Sequence, residues 1–386
     1  MREFLYVYVH EIGHAFNLVH SWDKGRPESL SWMNNPIYQT DFWDNFRFRF
    51  DDEELIHLRH GDRSSIIPGG EFWGSGTHLD TASCALTDSD DRMPVELLLR
   101  SKERFEFMEP VIIEMRLKNK TKTPIKVNPQ LNPDFGYVTI FIRRPSGNIV
   151  RFTPVKDVIA DIKLKRLESK GEGIEGEDRC SVNVQISYGA DGHHFKEPGE
   201  YQLKALYHGT ENILIPSNLL RINIGRPMTK DDEQIGKKFF THEAGMALYL
   251  KGSDSKFLKN GMDTLRSMSE KYEESPVGAQ ITTALAKNLS RPFHRIINGK
   301  VVRVRQAKPR EVIKLIDKSL KQQQRDDKTL QNITYEDVVI LKANQFAKIG
   351  EKEKARLELV ELAKYLKPRG VNPVVINRIE DYSKKI

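Results

Sequence analysis

The stretch His10-Glu11-Ile12-Gly13-His14-Ala15-Phe16-Asn17-Leu18-Val19-His20 constrains this chain more than any other. His10 and His14 stand four residues apart. On an α-helix that offset is about 6 Å of rise and about 40° of rotation, so both imidazoles share a face and reach one ion. His20 does not fit a continuing helix, where it would lie about 9 Å further on and about 120° further round. For it to join the pair, the chain must reverse after His14. A reversal asks for a residue that tolerates positive φ; glycine does so best and asparagine next. Asn17 stands three residues past His14. A solvent-facing His pair on an amphipathic helix would explain neither Asn17 nor His20.

Zinc takes neutral His nitrogens at about 2.0–2.1 Å in a roughly tetrahedral set. Glu11 follows the first His and can accept a proton from water at such an ion without being a ligand. Leu30-Ser31-Trp32-Met33-Asn34-Asn35-Pro36 is turn-rich, with a Met at its centre. Taken together these residues resemble the metzincins, zinc endopeptidases marked by H-E-x-x-H-x-x-G-x-x-H and a Met-turn. The resemblance implies zinc ligation by His10, His14 and His20, general-base action by Glu11, and a Met-turn at Met33 beneath the metal. Asn17 replaces the family's usual Gly, and Ser21 after the third His resembles the matrixin pattern. A nearby Tyr assists the oxyanion in some metzincins; Tyr38 differs in spacing and is left out of the site.

The resemblance also implies a sheet upstream of the metal helix. Residues 2–16 read as one helix with a broad apolar surface of Phe4, Leu5, Val7, Val9, Ile12 and Phe16. About 60 residues cannot readily bury it alone. The expectation is the C-terminal part of a metzincin-like catalytic domain, from a longer protein or a shortened gene model. Asp51 to His60 reads as a second helix, with Asp51 as cap and Glu54 completing a capping box. It resembles the helix that closes the metzincin C-terminal subdomain. His57 and His60 on it are weaker ligand candidates, since a His near a helix C-terminus is favourable without metal.

The rest divides by pattern. Residues 61–92 are rich in Gly, Ser, Asp and Thr and read as a linker; its polar His78 and Asp80 have nothing to support a ligand role. Residues 93–226 carry short β-branched and aromatic runs, at Val95–Arg100, Val111–Lys118, Tyr137–Arg143, Ser181–Tyr188, Tyr201–Tyr207 and Leu219–Ile224 among others. They predict an antiparallel β-sandwich. Phe195 to Tyr201 resembles the turn before a late strand of immunoglobulin-like domains, while the Cys-Trp-Cys hallmark is absent. Residues 227–386 read as helices at Asp231–Lys251, Ser255–Tyr272, Gly278–Asn288, Pro309–Gln324, Tyr335–Ile349 and Glu351–Leu366. Ala343 to Pro368, with Gly350, Ala355 and Pro368, resembles one tetratricopeptide-like unit. Asn298-Gly299 is a tight-turn signal. The fold class expected is therefore multidomain α+β: a metzincin-like helix and subdomain, a β-sandwich and an α-helical array.

Composition narrows the partners. The formal net charge is +7, but basic residues alternate with acids, as in Arg325-Asp326-Asp327-Lys328. That pattern reads as solvated helix faces, not a nucleic-acid footprint. No stretch approaches the roughly 20 apolar residues of a membrane span, and no signal peptide is visible. The chain reads as soluble. Cys84 and Cys180 make no disulfide framework. The expected activity is peptide-bond hydrolysis with zinc as cofactor and a peptide or protein as substrate. The helical array offers a concave surface for a protein partner. The alternatives are a non-catalytic binding scaffold with a relic metal helix, and a structural zinc site with a fourth ligand.

Overall fold

A computed structural model describes residues 2–24, 26–60, 66–68, 94–156, 158, 161, 163–169, 178–209, 214–325 and 329–386. The chain divides into two compact units, Met1–Asp90 and Asp91–Ile386. His78, Asp80, Cys84, most of the expected linker and the Arg325–Lys328 charge cluster beyond Arg325 lie outside the described residues.

In the first unit, α1 (Arg2–Ala15) is followed by a 3-10 turn at Pro36–Tyr38, then by α2 (Phe42–Asn45) and α3 (Asp52–His60). One face of α1 meets an aromatic core. Tyr6, Trp32, Phe42 and Phe46 are buried there, with Val9, Leu30, Trp43 and Phe50 against them. Tyr6 meets Phe42 edge-on at 5.8 Å between ring centroids, and Trp32 meets Phe46 edge-on at 4.8 Å. Such pairs add to the apolar burial itself. The other face of α1 is solvent-exposed, with Phe4, Leu5, Val7, Tyr8, Ile12 and Phe16 open to water.

A buried carboxylate ties the irregular segments together. Glu54 on α3 is 2% exposed. It accepts from Lys24 Nζ at 2.6 Å, Ser21 Oγ at 3.4 Å, the Asp51 amide at 2.9 Å and the Ser31 hydroxyl. The capping box expected at this helix is thus half made. Glu54 takes the backward bond, while the Asp51 carboxylate accepts from Ser29 Oγ at 2.7 Å.

The second unit begins with strands that alternate buried and exposed residues. One sheet runs β1 (Val95–Arg100), β3 (Ile112–Asn119), β8 (Arg179–Gln185), all antiparallel. The other runs β2 (Arg104–Phe105), β13 (Leu220–Ile224), β11 (Gly199–His208), β5 (Val138–Arg143), β6 (Ile149–Arg151), with β12 (Leu214–Pro216) also on β11. Only the short β2–β13 pair among these is parallel. Leu97, Leu99, Ile113, Met115 and Leu117 from the first sheet share a core with Ile140, Ile142, Tyr201, Leu203 and Ile222 from the second. Two small ladders complete this half: β4 (Ile125–Val127) with β7 (Lys165–Leu167), and β9 (Tyr188–Gly189) with β10 (Gly192–His193). Tyr201 Oη donates to the Glu197 carbonyl at 2.8 Å and accepts from the Glu197 amide at 3.1 Å. This is the local closure of a tyrosine corner.

Helices follow: α4 (Lys230–Phe239), α5 (His242–Tyr249), α6 (Lys259–Lys271), α7 (Pro276–Leu289), α8 (Pro309–Arg325), α9 (Asn332–Lys348), α10 (Lys352–Leu366) and α11 (Pro373–Lys385). From α5 onward each packs on the next in sequence. The periodicity over Asp231–Lys251 predicts one helix, but two are present. Thr241 breaks it: its hydroxyl donates to the Lys238 carbonyl at 2.9 Å and caps α5 through the Ala244 amide at 3.4 Å. Between α7 and α8, β14 (Phe293–Ile297) and β15 (Lys300–Arg305) form a hairpin. Its turn residues Asn298 and Gly299 have φ of 50° and 74°, the left-handed pair that a type I′ turn requires. Among the described residues, no helix is long and apolar enough to cross a membrane. Cys180 is a free thiol.

Candidate metal centre

The centre forms because α1 stops where it does. Asn17 takes φ 64°. The Leu18 amide donates to the Gly13 carbonyl at 3.1 Å and the Asn17 amide to the His14 carbonyl at 2.9 Å. Those two bonds are the paired closure of a Schellman motif, with Asn17 at the left-handed position. The reversal carries the chain back past the helix end and delivers His20 beside His14. His14 Nε2 lies 3.0 Å from His10 Nε2 and 2.9 Å from His20 Nε2. Among the described residues the three imidazoles make up the whole His, Cys, Asp and Glu group at this point.

The opposite nitrogen of each ring fixes its tautomer. His10 Nδ1 lies 2.7 Å from the Trp32 carbonyl and His14 Nδ1 lies 2.9 Å from the Leu18 carbonyl. A carbonyl only accepts, so both Nδ1 atoms carry the proton. His20 Nδ1 lies 3.0 Å from Asp23 Oδ2 and donates likewise. In the neutral rings every Nε2 is then a bare lone pair, and three of them crowd one point. Lone pairs at that separation repel unless a cation lies among them. Ligation at about 2.0–2.1 Å in a tetrahedral set places nitrogens about 3.3 Å apart, a few tenths of an ångström more than here. Carbonyl or carboxylate partners on the far nitrogen are also the usual support of metal-bound His. The residues present therefore fit a zinc ion. Burial, and with it the nearby His14 and His20 charges, holds the His10 imidazole below its ordinary value; the Trp32 and Glu11 interactions oppose this.

Met33 is fully buried. A Cβ on Gly13 would run into Met33 Sδ and meet Phe50 at 3.3 Å, so glycine there admits the turn against the helix. The Met33 amide donates to Ser31 Oγ at 3.1 Å, and the Met33 carbonyl accepts from the Ser21 amide at 2.9 Å. That second bond joins the Met33 turn to the residue after His20. Glu11 is exposed and makes no hydrogen bond or ion pair to a described residue. Tyr38 lies 5.2 Å from Trp22, whose indole stacks on the His20 ring at 3.8 Å and 14°. His57 is elsewhere: it is buried, with Nε2 3.1 Å from the Phe16 carbonyl. The side chain of His60 lies outside the described residues.

Three contributors are not evident from the motif. Asp23 holds His20, and its signal is a carboxylate three residues past the last His, within one turn. Tyr6 sits one turn before His10, 3.3 Å from its Nδ1, and its hydroxyl also donates to the Asn34 carbonyl. The Trp32 carbonyl left no trace in the sequence, since any residue supplies one.

No protein-family model matches this chain, and no curated protein matches it. Solved structures give weak likenesses. The alkylpurine DNA glycosylase AlkC of Pseudomonas fluorescens, bound to DNA with an abasic site analog, is 12% identical at a TM-score of 0.21, over 38% of this chain and 34% of that one. A CARDB domain from Pyrococcus furiosus is 11% identical at 0.18, over 34% and 94%. An Escherichia coli alpha-2-macroglobulin fragment is 10% identical at 0.20, over 76% and 55%. This chain thus spans about a third of the glycosylase and about half of the macroglobulin fragment. At these scores none bears on fold or function.

Proposed function

We propose that the first unit carries the zinc centre of a metzincin-like endopeptidase, followed by an immunoglobulin-like sandwich and a tetratricopeptide-like array. The observation that carries this reading is the convergence of three Nε2 atoms whose rings are each anchored through Nδ1. Three protein ligands, where a structural site has four, are the usual set of catalytic zinc. His10, His14 and His20 would hold the ion. Zinc bound there supplies Lewis acidity toward water and a peptide carbonyl.

The chain's own residues do the rest. Glu11 follows His10 on the same helix and is not tied up by another side chain. Its carboxylate takes a proton from water as the oxygen adds to the scissile carbonyl carbon. It then gives that proton to the amide nitrogen as the C–N bond breaks, which returns Glu11 to its starting state. Trp32, Leu18 and Asp23 keep the imidazoles in the ligating tautomer throughout. The Trp22 indole stacked on His20, with the tilted Tyr38 ring beside it, would offer an apolar ledge to a substrate side chain.

The test is zinc stoichiometry together with casein cleavage. The wild-type chain is expected to hold one zinc per molecule and to cleave. Glu11→Gln is expected to keep the zinc and lose cleavage by at least about a hundredfold. Full activity in Glu11→Gln would reject the base assignment. Zinc without cleavage in the wild type would favour a binding scaffold over an enzyme.

A further inference from the structure

Within the second unit, the strand half and the helical half meet across a cleft of about 380 Å³. Asn183 and Gln185 of β8 line one side; Lys251 past the end of α5, with Lys287 and Arg291 at the end of α7, line the other. Lys156, Asp134 and Asp337 complete the charged groups that face it, four cations against two carboxylates.

The two carboxylates are already matched. Asp134 accepts from Tyr249 Oη at 2.9 Å and pairs with Lys156 at 3.2 Å. Asp337 pairs with Lys287 at 3.6 Å. Lys251 and Arg291 remain without a carboxylate. Arg291 donates to the main-chain carbonyls of Leu250 at 3.3 Å and Lys251 at 3.4 Å, which cancel no charge. Through its ammonium Lys251 makes no hydrogen bond or ion pair to a described residue. Its backbone is strained as well: φ is 55°, followed by Gly252 at 84°. At the first of those left-handed positions glycine would cost less than a residue with a Cβ. Lys251 is an exposed residue at the cleft; desolvation, then the neighbouring Lys287 ammonium, holds its amine below its ordinary value, and the Asp337 carboxylate opposes this.

On the strand side of the cleft, two polar atoms lack partners. Gln185 Nε2 and Asn183 Oδ1 are buried without a hydrogen bond, although Asn183 Nδ2 reaches Thr334 Oγ1 at 3.0 Å. One is a donor and the other an acceptor, and a hydroxyl can serve either role. Buried groups of this kind are rarely left unsatisfied, so they call for water or a ligand.

We propose that this cleft binds a small hydroxylated dianion, its charged end held by Lys251 and Arg291 and its hydroxyl end by Gln185 and Asn183. A phosphate monoester and a hydroxy-dicarboxylate share that chemistry, and the probes separate them. Calorimetric titration uses glycerol 3-phosphate and malate in turn, at fixed ionic strength in chloride. Saturable one-site binding by the first alone marks a phosphate site, by malate alone a dicarboxylate site, and by both a site that reads charge and hydroxyl only.

Lys251→Gly is the informative variant, because it relieves the positive φ and so keeps the fold while removing the ammonium. It is expected to weaken binding about tenfold or more, as is Arg291→Ala, in line with loss of a charged hydrogen bond. Lys251→Arg is expected to retain most of the affinity. Lys354→Ala, whose ammonium pairs with Glu351, is expected to change nothing. Undiminished binding in both Lys251→Gly and Arg291→Ala would place the anion elsewhere and overturn the proposal. Failure of both probes to bind the wild-type chain would overturn it too.

Discussion

Each imidazole at the centre is aimed by a group that the ligand motif does not contain. Asp23 is the side chain that anchors His20, whereas Trp32 and Leu18 act through main-chain oxygens. Asp23→Ala frees the His20 ring and its tautomer, so zinc affinity is expected to fall about 10–100-fold. Competition with a chelating dye measures this without any substrate; Asp23→Asn, which keeps an acceptor oxygen, should recover part of it. An unchanged affinity in Asp23→Ala would remove Asp23 from the site. At this scale the ligand spacing was legible because helix geometry alone sets where residues four apart point. The Asn17 reversal was legible because few residue types accept φ near 64°. The partners on Nδ1 were not, since the Trp32 carbonyl depends on where a later turn comes to rest.

The end of α1 decides whether His20 joins His10 and His14. With Asn17 in the left-handed region, glycine there fits at least as well, while a β-branched residue does not. Asn17→Gly is expected to preserve zinc binding, since it keeps the backbone reversal. Asn17→Val is expected to cost about 1–2 kcal/mol and to lose zinc, because the chain beyond His14 no longer returns. Retention of full zinc affinity in Asn17→Val would show that the reversal does not depend on this residue. Among the other elements, most strands with a buried face and the amphipathic helices up to α10 were readable from period alone, whereas α11 (Pro373–Lys385) was not. The break at Thr241 was not: a hydroxyl within a helical pattern caps a new helix only when tertiary packing favours a turn there. The three-residue strands Lys165–Leu167 and Leu214–Pro216 exist because a partner lies alongside, which no local pattern reports. The Asn298-Gly299 turn was readable, since the two residue types suit its backbone.

Across the whole molecule, acid is expected to weaken the second unit. His193, against Thr241 and Phe240, and His194, against Phe152, are 6% and 2% exposed. Burial pushes both down to about 4 from the ordinary 6.5. As pH falls below about 6.5, the unfolded chain takes up these protons and the folded chain does not. The stability they contribute is complete above that value and is lost as pH drops to about 4, on the order of 3 kcal/mol for each. Denaturant melts of the full chain from pH 8 to pH 4, followed by far-UV circular dichroism, should show the decline. His194→Phe should flatten it, and an equal slope in that variant would disprove the assignment. How the strand half joins the helices was hidden from the sequence, because contacts such as Gln331 Nε2 to the Ile112 carbonyl at 2.8 Å span more than half the unit. The chain has 4 Trp residues, at 22, 32, 43 and 73, all before the second unit. Excitation of indole therefore interrogates the first unit in isolation from the larger one. Because one of those indoles lies flat on His20, its emission should change when EDTA strips the ion and return on adding zinc. That emission would read occupancy of the proposed site directly, without label or substrate.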